Sequence, residues 1–345
     1  MPKRLVILST PRYHVNFNDF YMFFRRTGHA IRAVLYHESN RQLPWWRENR
    51  IGDLSREQVF DPIDHGDRRL RMWRDADELV RILEGIDFDL ICMGNGTEAV
   101  QREVIARFGR ERCLFSEYGW LAWSRHFYLS RGGCGTESEL AAISADDLAS
   151  QPIHHDALER LRESFGPGWP VWRRGYLYLP LQKDEDDFKF TLTHFRNNDE
   201  LLAFVHELLP RGLRVLVKRH PLHYKRYDFR RFGRRYVDIS RRKLSKASLY
   251  RNMAAMISIN STSVLEALLF GKHVFAYGDD LFRNKGVVHE RVDRWNDFEE
   301  RLHRPFPRET ADRFLSLLLD RQVDRHRCVN DDRPYIENHY WNLSV

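Results

Sequence analysis

Along this chain, apolar residues gather into short continuous runs, and the stretches between those runs carry apolar positions every three or four residues. Continuous runs read as strands buried on both faces, and the three-to-four spacing reads as helices with one packed face. In the first half, "RLVILST" (4–10), "AIRAVLYH" (30–37), "FDLICMG" (88–94) and "RCLFSE" (112–117) read as strands. Between them, "NDFYMFFRRTG" (18–28), "DADELVRILEGI" (75–86) and "TEAVQREVIARFGR" (97–110) read as helices. Such alternation predicts βαβ winding and a parallel sheet. Ligands of these sheets collect at the carboxyl ends of the strands, where the loop signals Gly94-Asn95-Gly96 and Glu117-Tyr118-Gly119 fall.

From about 120 to 175 the pattern weakens and ends in the Gly/Pro/Trp-rich "FGPGWPVWRRG", which reads as a linker. A second winding follows. "YLYLPLQ" (176–182), "RVLVKRHP" (214–221), "YVDIS" (236–240), "AMISIN" (255–260) and "HVFAYG" (273–278) read as strands. "NNDELLAFVHELLPRG" (197–212), "KASLYRNM" (246–253), "STSVLEALLFG" (261–271) and a closing "RETADRFLSLLLDRQ" (308–322) read as helices. A length of 345 residues exceeds what one compact core usually holds. The expected class is therefore α/β, with two Rossmann-like doubly wound domains facing a cleft, an arrangement that the GT-B glycosyltransferase fold is one of several to have. The expected limits are 1–170, 175–325 and a C-terminal tail over 326–345. Periplasmic binding proteins and sugar-nucleotide epimerases share this architecture, so site residues must choose among them.

Composition narrows the field. A hydrophobic share of 42% is ample for globular folding, and no run approaches the roughly 18 apolar residues of a membrane span. With only a short apolar segment after its first basic pair, the chain is expected to be cytoplasmic. Four scattered cysteines form no CxxC pair, and His126, His154, His155 and His206 show no ligand spacing, so neither a disulfide framework nor a metal is expected. The net charge of +7 and the runs "YKRYDFRRFGRR" and "SRRKLSK" form a basic stretch that could be only a solvated face. No helix-turn-helix, zinc-finger or RNP motif accompanies it, so nucleic acid is not the expected partner. An anionic inner-membrane surface, or an anionic glycan and nucleotide substrate, suits the charge better.

Four stretches carry candidate chemistry. Asn260, Ser261 and Thr262 close a strand and open a helix, where free N–H groups and the helix dipole would seat a phosphate; Ser and Thr are also plain N-cap residues. Glu266, one turn on, could accept from ribose hydroxyls. "LPLQKDEDDF" places Gln182 and the acids Asp184, Glu185, Asp186 and Asp187 after a strand, either as a solvated acidic loop or as the carboxylate that glycosyl transfer needs. In "VLVKRHPL", Lys218 or Arg219 could neutralise a nucleotide phosphate and His220 could donate to a leaving phosphate. Glu117 lies at a strand end beside aromatics, suited to acid/base work, while Trp120 and Trp123 read equally as core or as a sugar platform.

Taken together, Glu117-Tyr118-Gly119-Trp120, the "PLQ…D" stretch (Pro180, Leu181, Gln182, Asp186), "K.HP" (Lys218, His220, Pro221) and "NST…LEAL..GK.V...G" (260–278) resemble the capsule polysaccharide biosynthesis proteins, which include the bacterial β-Kdo transferases. "FRNKGVVHERVDRWNDFEE" resembles their later "GLTH" region, with Gly286 and His289 matching, although Val287-Val288 stand in place of Leu-Thr. The resemblance runs from about 112 to 300. It implies a GT-B glycosyltransferase that moves Kdo or a related sugar from a CMP-linked donor to a glycan or glycolipid acceptor of a bacterial surface polysaccharide. Anomeric configuration would be retained, with no metal or cofactor. It further implies Asp186 as nucleophile, with Asp184 and Asp187 close by; Glu117 as acid/base; His220 assisting the leaving phosphate; Lys218, Ser261 and Thr262 holding that phosphate; and Glu266 near the ribose. The alternatives are a sugar-nucleotide epimerase or hydrolase of the same fold, or a non-catalytic basic binding protein of polysaccharide assembly.

Overall fold

The structure, a computed structural model, describes residues 3–10, 23–24, 29–40, 70–121, 126–169, 175–183, 192–220 and 225–324. The chain divides into two compact units, Met1–Glu139 with Asp320–Val345 and Leu140–Leu319. Residues 140–170 therefore group with the second unit, and 320–325 with the first, which differs from the limits expected from sequence.

The first unit is built on a seven-stranded sheet. Its strands are β1 (Arg4–Leu8), β2 (Ala30–His37), β3 (Leu70–Trp73), β4 (Leu90–Met93), β5 (Cys113–Tyr118), β6 (His126–Ser130) and the late β13 (Gln322–Asp324), in the order β13-β6-β5-β4-β1-β2-β3. The five from β5 to β3 run parallel, and β6 and β13 join antiparallel at one edge. Leu5, Ile7, Leu90, Cys92 and Leu114 pack in one core, as double-sided burial of apolar runs requires. Helices α1 (Ala76–Glu84) and α2 (Ala99–Phe108) follow β3 and β4, and Asp75 caps α1 by accepting from the Glu78 N–H. The helix expected over 18–28 lies outside the described residues apart from Phe23 and Phe24, which are buried.

Three strands of this sheet escaped the sequence pattern. β3 and β13 have four residues or fewer, too short for periodicity to show. β6, "HFYLS", sits in the stretch read as weakly patterned. Val323 of β13 is buried against the sheet, and Gln322 Oε1 accepts from the Leu121 N–H at 3.1 Å, which is why 320–325 belongs here and not with the second unit.

The second unit holds a six-stranded, wholly parallel sheet: β7 (Tyr176–Pro180), β8 (Val215–Lys218), β9 (Tyr236–Asp238), β10 (Met253–Ser258), β11 (His273–Ala276) and β12 (His289–Glu290), ordered β12-β11-β10-β7-β8-β9. Its helices are α3 (His155–Ser164), α4 (Asn198–Leu208), α5 (Lys246–Asn252), α6 (Ser263–Leu269), α7 (Trp295–His303) and α8 (Arg308–Arg321), with shorter helical turns before α3. Leu179, Val217, Ile257 and Phe275 from the sheet pack with Leu201, Val205 and Phe298 from the helices, and the Phe275 and Phe298 rings stack 3.6 Å apart.

In both sheets the winding starts in the middle and runs outward in two directions. The direction changes between β1 and β4 in one and between β7 and β10 in the other. At such a point the loops leaving neighbouring strands diverge, and a crevice opens beyond the carboxyl ends.

Candidate functional site

The crevice of the second unit is furnished by the residues that sequence singled out. β7 delivers Gln182 and β10 delivers Asn260, and the Gln182 amide donates to Asn260 Oδ1 at 3.3 Å across the reversal point. Both are buried. Gln182 is further fixed by Asn198 at the start of α4. The Asn198 side chain accepts from the Gln182 N–H at 3.1 Å and donates to the Gln182 carbonyl at 2.8 Å. Asn260 reaches the Asp279 carbonyl at 3.4 Å, and Gly278 leaves the room for it: a Cβ there would stand 2.6 Å from Ile259 Cγ2.

Past Asn260 the chain turns into α6. Thr262 is already helical, at φ −57° and ψ −21°, and makes no side-chain capping bond. The Ser261 hydroxyl instead accepts from the Ser263 N–H at 3.2 Å. Ser261 is half-buried and Thr262 exposed, so capping accounts for at most one of the two hydroxyls.

Glu266 does not lie open on the helix face. It is 6% exposed, takes a hydrogen bond from the buried Tyr250 hydroxyl and receives Lys246 Nζ at 2.6 Å. Lys246 and Tyr250 stand four apart on α5 and so share a face. Beside this group, at the end of β8, lies Lys218. Burial first, and the charge of Lys246 next, push its ammonium pKa down, with Glu266 acting against them. Lys218 forms no hydrogen bond or ion pair among the described residues, and its ammonium is partly desolvated. Arg219, its neighbour in sequence, points the other way because side chains alternate along a strand. Its guanidinium is held by Asp238 at 3.3 Å and Ser240 at 3.3 Å, which braces the end of β9. His220 follows in the half-buried margin. Asp184, Asp186 and Asp187 lie outside the described residues, as do Trp123 and Pro221.

Gly286 adopts φ +70°, a conformation that costs a side chain but not glycine. His289 pairs with a histidine that sequence reading passed over, its Nε2 lying 2.9 Å from His273 Nδ1. His273 Nε2 faces the Arg304 carbonyl at 3.0 Å and must donate to it, so Nδ1 accepts and His289 Nε2 carries a proton. Burial, with the His273 charge second, lowers the His289 pKa to about 4, and burial lowers that of His273 as well. A base whose folded pKa is depressed binds more protons when unfolded. The resulting loss of stability is absent above about pH 6.5, grows as pH falls and is complete below about pH 4. For His289 this amounts to roughly 2 to 3 kcal/mol. Urea unfolding at pH 7 and pH 4.5 should show the loss, and His289→Asn should flatten the slope. An equal slope in the variant would remove His289 as its source.

In the first unit, Glu117 ends β5. Asn95, in the loop after β4, donates from Nδ2 to Glu117 Oε2 at 3.1 Å, and the Tyr118 N–H donates to Oε1 at 2.9 Å. The Asn95 amide cannot turn over, since its Oδ1 already accepts from the Thr97 hydroxyl at 2.7 Å and the Thr97 N–H at 3.2 Å. Gly119 lets β6 approach, because a Cβ there would meet His126 Cβ at 2.4 Å. Trp120 is buried and stacked on Tyr128 at 3.9 Å, which makes it core and not a sugar platform. Of the other histidines, the ring of His126 lies 3.9 Å from Asp324, His154 is tied through its N–H to Ser316, and His206 packs on Phe232. Among the described residues, no cluster of His, Cys, Asp or Glu could hold a metal ion, and no helix is long and apolar enough to cross a membrane.

Sequence reading missed Asn95, Thr97, Asn198, Lys246 and Tyr250. The strand-end loop at 94–96 marked the position of Asn95 without giving it a role, and the i, i+4 spacing of Lys246 and Tyr250 was the available signal for the last pair. Residues 176–316, which include every site residue of the second unit, match the family model described as capsule polysaccharide biosynthesis protein. No curated protein matches the chain in sequence. Among solved structures, the chain is similar to the KpsC β-Kdo 2,7 transferase of Thermosulfurimonas dismutans, with 14% identity, a TM-score of 0.54, and coverage of 86% of this chain and 97% of that one. The β-Kdo 2,4 transferase of the same KpsC also matches, at 16% identity and a TM-score of 0.45 over 91% and 90%. A UDP-GlcNAc 2-epimerase of Methanocaldococcus jannaschii matches at 12% identity and a TM-score of 0.37 over 92% and 99%. The fold shared with the 2,7 transferase is GT-B-like, with two Rossmann-like units, as the sequence pattern indicated.

Proposed function

We propose that this capsule-synthesis protein is a glycosyltransferase that moves Kdo or a related sugar from a CMP-linked donor to a glycan or glycolipid acceptor of a bacterial surface polysaccharide. The observation that carries the reading is Lys218, a partly buried cation without a bonded counter-charge, set beside the buried Gln182–Asn260 pair at the reversal point of a sheet that matches the capsule-synthesis family. In this reading the donor phosphate lies against Lys218 and the Ser261–Thr262 turn, which supply charge and hydrogen bonds without a metal. Asp186 attacks the anomeric carbon as the bond to the nucleotide phosphate breaks, and His220 gives that phosphate a hydrogen bond. Water-free transfer then needs a base for the acceptor hydroxyl, the role given to Glu117, and the second displacement restores the original configuration.

Ligand binding separates this reading from others before any acceptor is found. Among CMP, UDP, GDP and dTDP, CMP is expected to raise the melting temperature most. Changing Ser261 and Thr262 together to Ala should weaken CMP binding by about 1 to 3 kcal/mol, through lost bonds to a charged group. Equal CMP affinity in the folded double variant would remove the turn as the phosphate seat, and preference for another nucleotide would remove the CMP-linked donor.

A further inference from the structure

Residues 225–246 hold ten Lys and Arg against two Asp, a net of +8 in a chain that totals +7, so everything else together carries −1. The net positive charge of the protein is therefore matched by the segment that includes edge strand β9. Nine of the ten cations are exposed; Arg235 alone is buried, donating to the carbonyls of Leu209, Pro210 and Leu213. Nearby acids are already engaged. Asp199 serves both Lys225 and Arg231, Asp238 holds Arg219, and Asp228 accepts from the Arg230 N–H. Among the described residues, Arg226, Arg230, Arg234, Arg241 and Lys243 form no ion pair.

Next to this surface stands Trp169, 72% exposed. It is not a loose end. Its N–H donates to Ser248 Oγ at 2.8 Å and its carbonyl accepts from Asn252 Nδ2 at 3.3 Å, so its backbone is tied along α5, the helix that begins at Lys246 in the basic segment. Gly168 permits the close approach, since a Cβ there would stand 2.6 Å from Arg251 Cδ. A held indole beside unpaired Lys and Arg is the combination that suits the headgroup region of a bilayer, where the ring has an apolar layer and the cations have lipid phosphates. Single-stranded nucleic acid would instead call for several open rings on which successive bases stack. Here the other aromatics of the segment, Tyr227, Phe229, Phe232 and Tyr236, are turned into or against the core.

We propose that the 225–246 surface, together with Trp169, docks the protein on an anionic phospholipid bilayer. This contact stands apart from the proposed transfer reaction. Lys246 belongs to both regions through its bond to Glu266, so docking would set the nucleotide site close to the membrane plane.

The test is sedimentation of the full chain with vesicles of phosphatidylcholine alone and with about 30% phosphatidylglycerol added. Binding is expected only to the anionic vesicles and should be lost near about 0.5 M salt. Arg230→Glu, Arg234→Glu and Lys243→Glu combined should weaken binding at least about tenfold, and Trp169→Ala should weaken it about three- to fivefold. Because all four side chains are exposed, an unchanged melting temperature is the control for folding. Equal binding to both vesicle types, no binding to either, or parent-like binding of the triple variant would overturn the proposal. So would single-stranded DNA displacing the protein from anionic vesicles at lower concentration than free phosphatidylglycerol vesicles do, which would favour a nucleic-acid surface.

Discussion

Glu117→Gln is expected to slow glycosyl transfer by about two to four orders of magnitude while leaving nucleotide binding unchanged. Glutamine keeps the shape of the side chain but cannot take the acceptor's proton. It also disturbs its surroundings in a definable way. One of the two oxygens that now accept from Asn95 and Tyr118 becomes an NH₂ facing a donor, and Asn95 cannot adapt because Thr97 holds its Oδ1. That mismatch costs about 1 to 2 kcal/mol of stability, far less than the predicted fall in rate. Steady-state turnover and CMP thermal shift on the same sample separate the two effects. A rate within about threefold of the parent, with the protein folded, would refute Glu117 as the acid/base. Under the two-step scheme, the slowed variant incubated with donor alone should accumulate a glycosyl adduct on the peptide that contains Asp186. An adduct elsewhere would move the nucleophile.

Glu266→Ala carries the second large expectation, a loss of about 2 to 4 kcal/mol from the second unit. The carboxylate is buried where a Tyr250 hydroxyl and two ammonium groups converge. Removing it leaves the deeply buried Tyr250 hydroxyl short of a partner and leaves Lys218 and Lys246 repelling each other with no compensating charge. The surface share is small, since the Lys246 side chain is 46% exposed and its ion pair is screened. Most of the loss should come from the buried side. Glu266→Gln keeps the shape and one acceptor oxygen, for Lys246, and turns its NH₂ to the Tyr250 hydroxyl, which can accept in place of donating, so it should cost less than alanine. Urea midpoints of the two variants decide the matter. An alanine variant within about 0.5 kcal/mol of the parent would mean that Glu266 does not hold this group together.

Long apolar runs made most of the architecture readable. Eight of the nine strands read from sequence are interior strands, where sheet neighbours lie on both sides and apolar residues dominate the run; the ninth, β9, is an edge strand read from "YVDIS". The strands that were missed are short or marginal: β3, β12 and β13 have four residues or fewer, and β6 and β13 join antiparallel at the margin, where less burial is demanded. Candidate site positions were legible where they fall at or just past strand ends, as Gln182, Lys218, Asn260 and Glu117 do. What they do to one another was not legible. That Arg219 turns from Lys218 follows from strand alternation, but that Asp238 and Ser240 wait on the other side depends on the β8–β9 pairing. Glu266 looked like an open helix acid because nothing local shows that Lys246 and Tyr250 from another helix close over it.

The pairing of β13 with β6 has a bearing on how the chain is made. The sheet of the first unit gains its last strand from Gln322–Asp324, whereas Leu121, which Gln322 secures, is 201 residues upstream. Everything from Leu140 to Leu319 must leave the ribosome in between. The usual order, in which the earlier domain finishes before the later one appears, is therefore reversed. The second unit has all of its strands in hand while the first still waits with β6 as an unpaired edge. Prior folding of the second unit would also ease the closure, because a compact insert with fixed ends spares the entropy of joining two ends of a long loose loop. The first unit is in this sense a folding client of the second, and a defect in the second unit would reach the stability of a sheet with which it shares no strand.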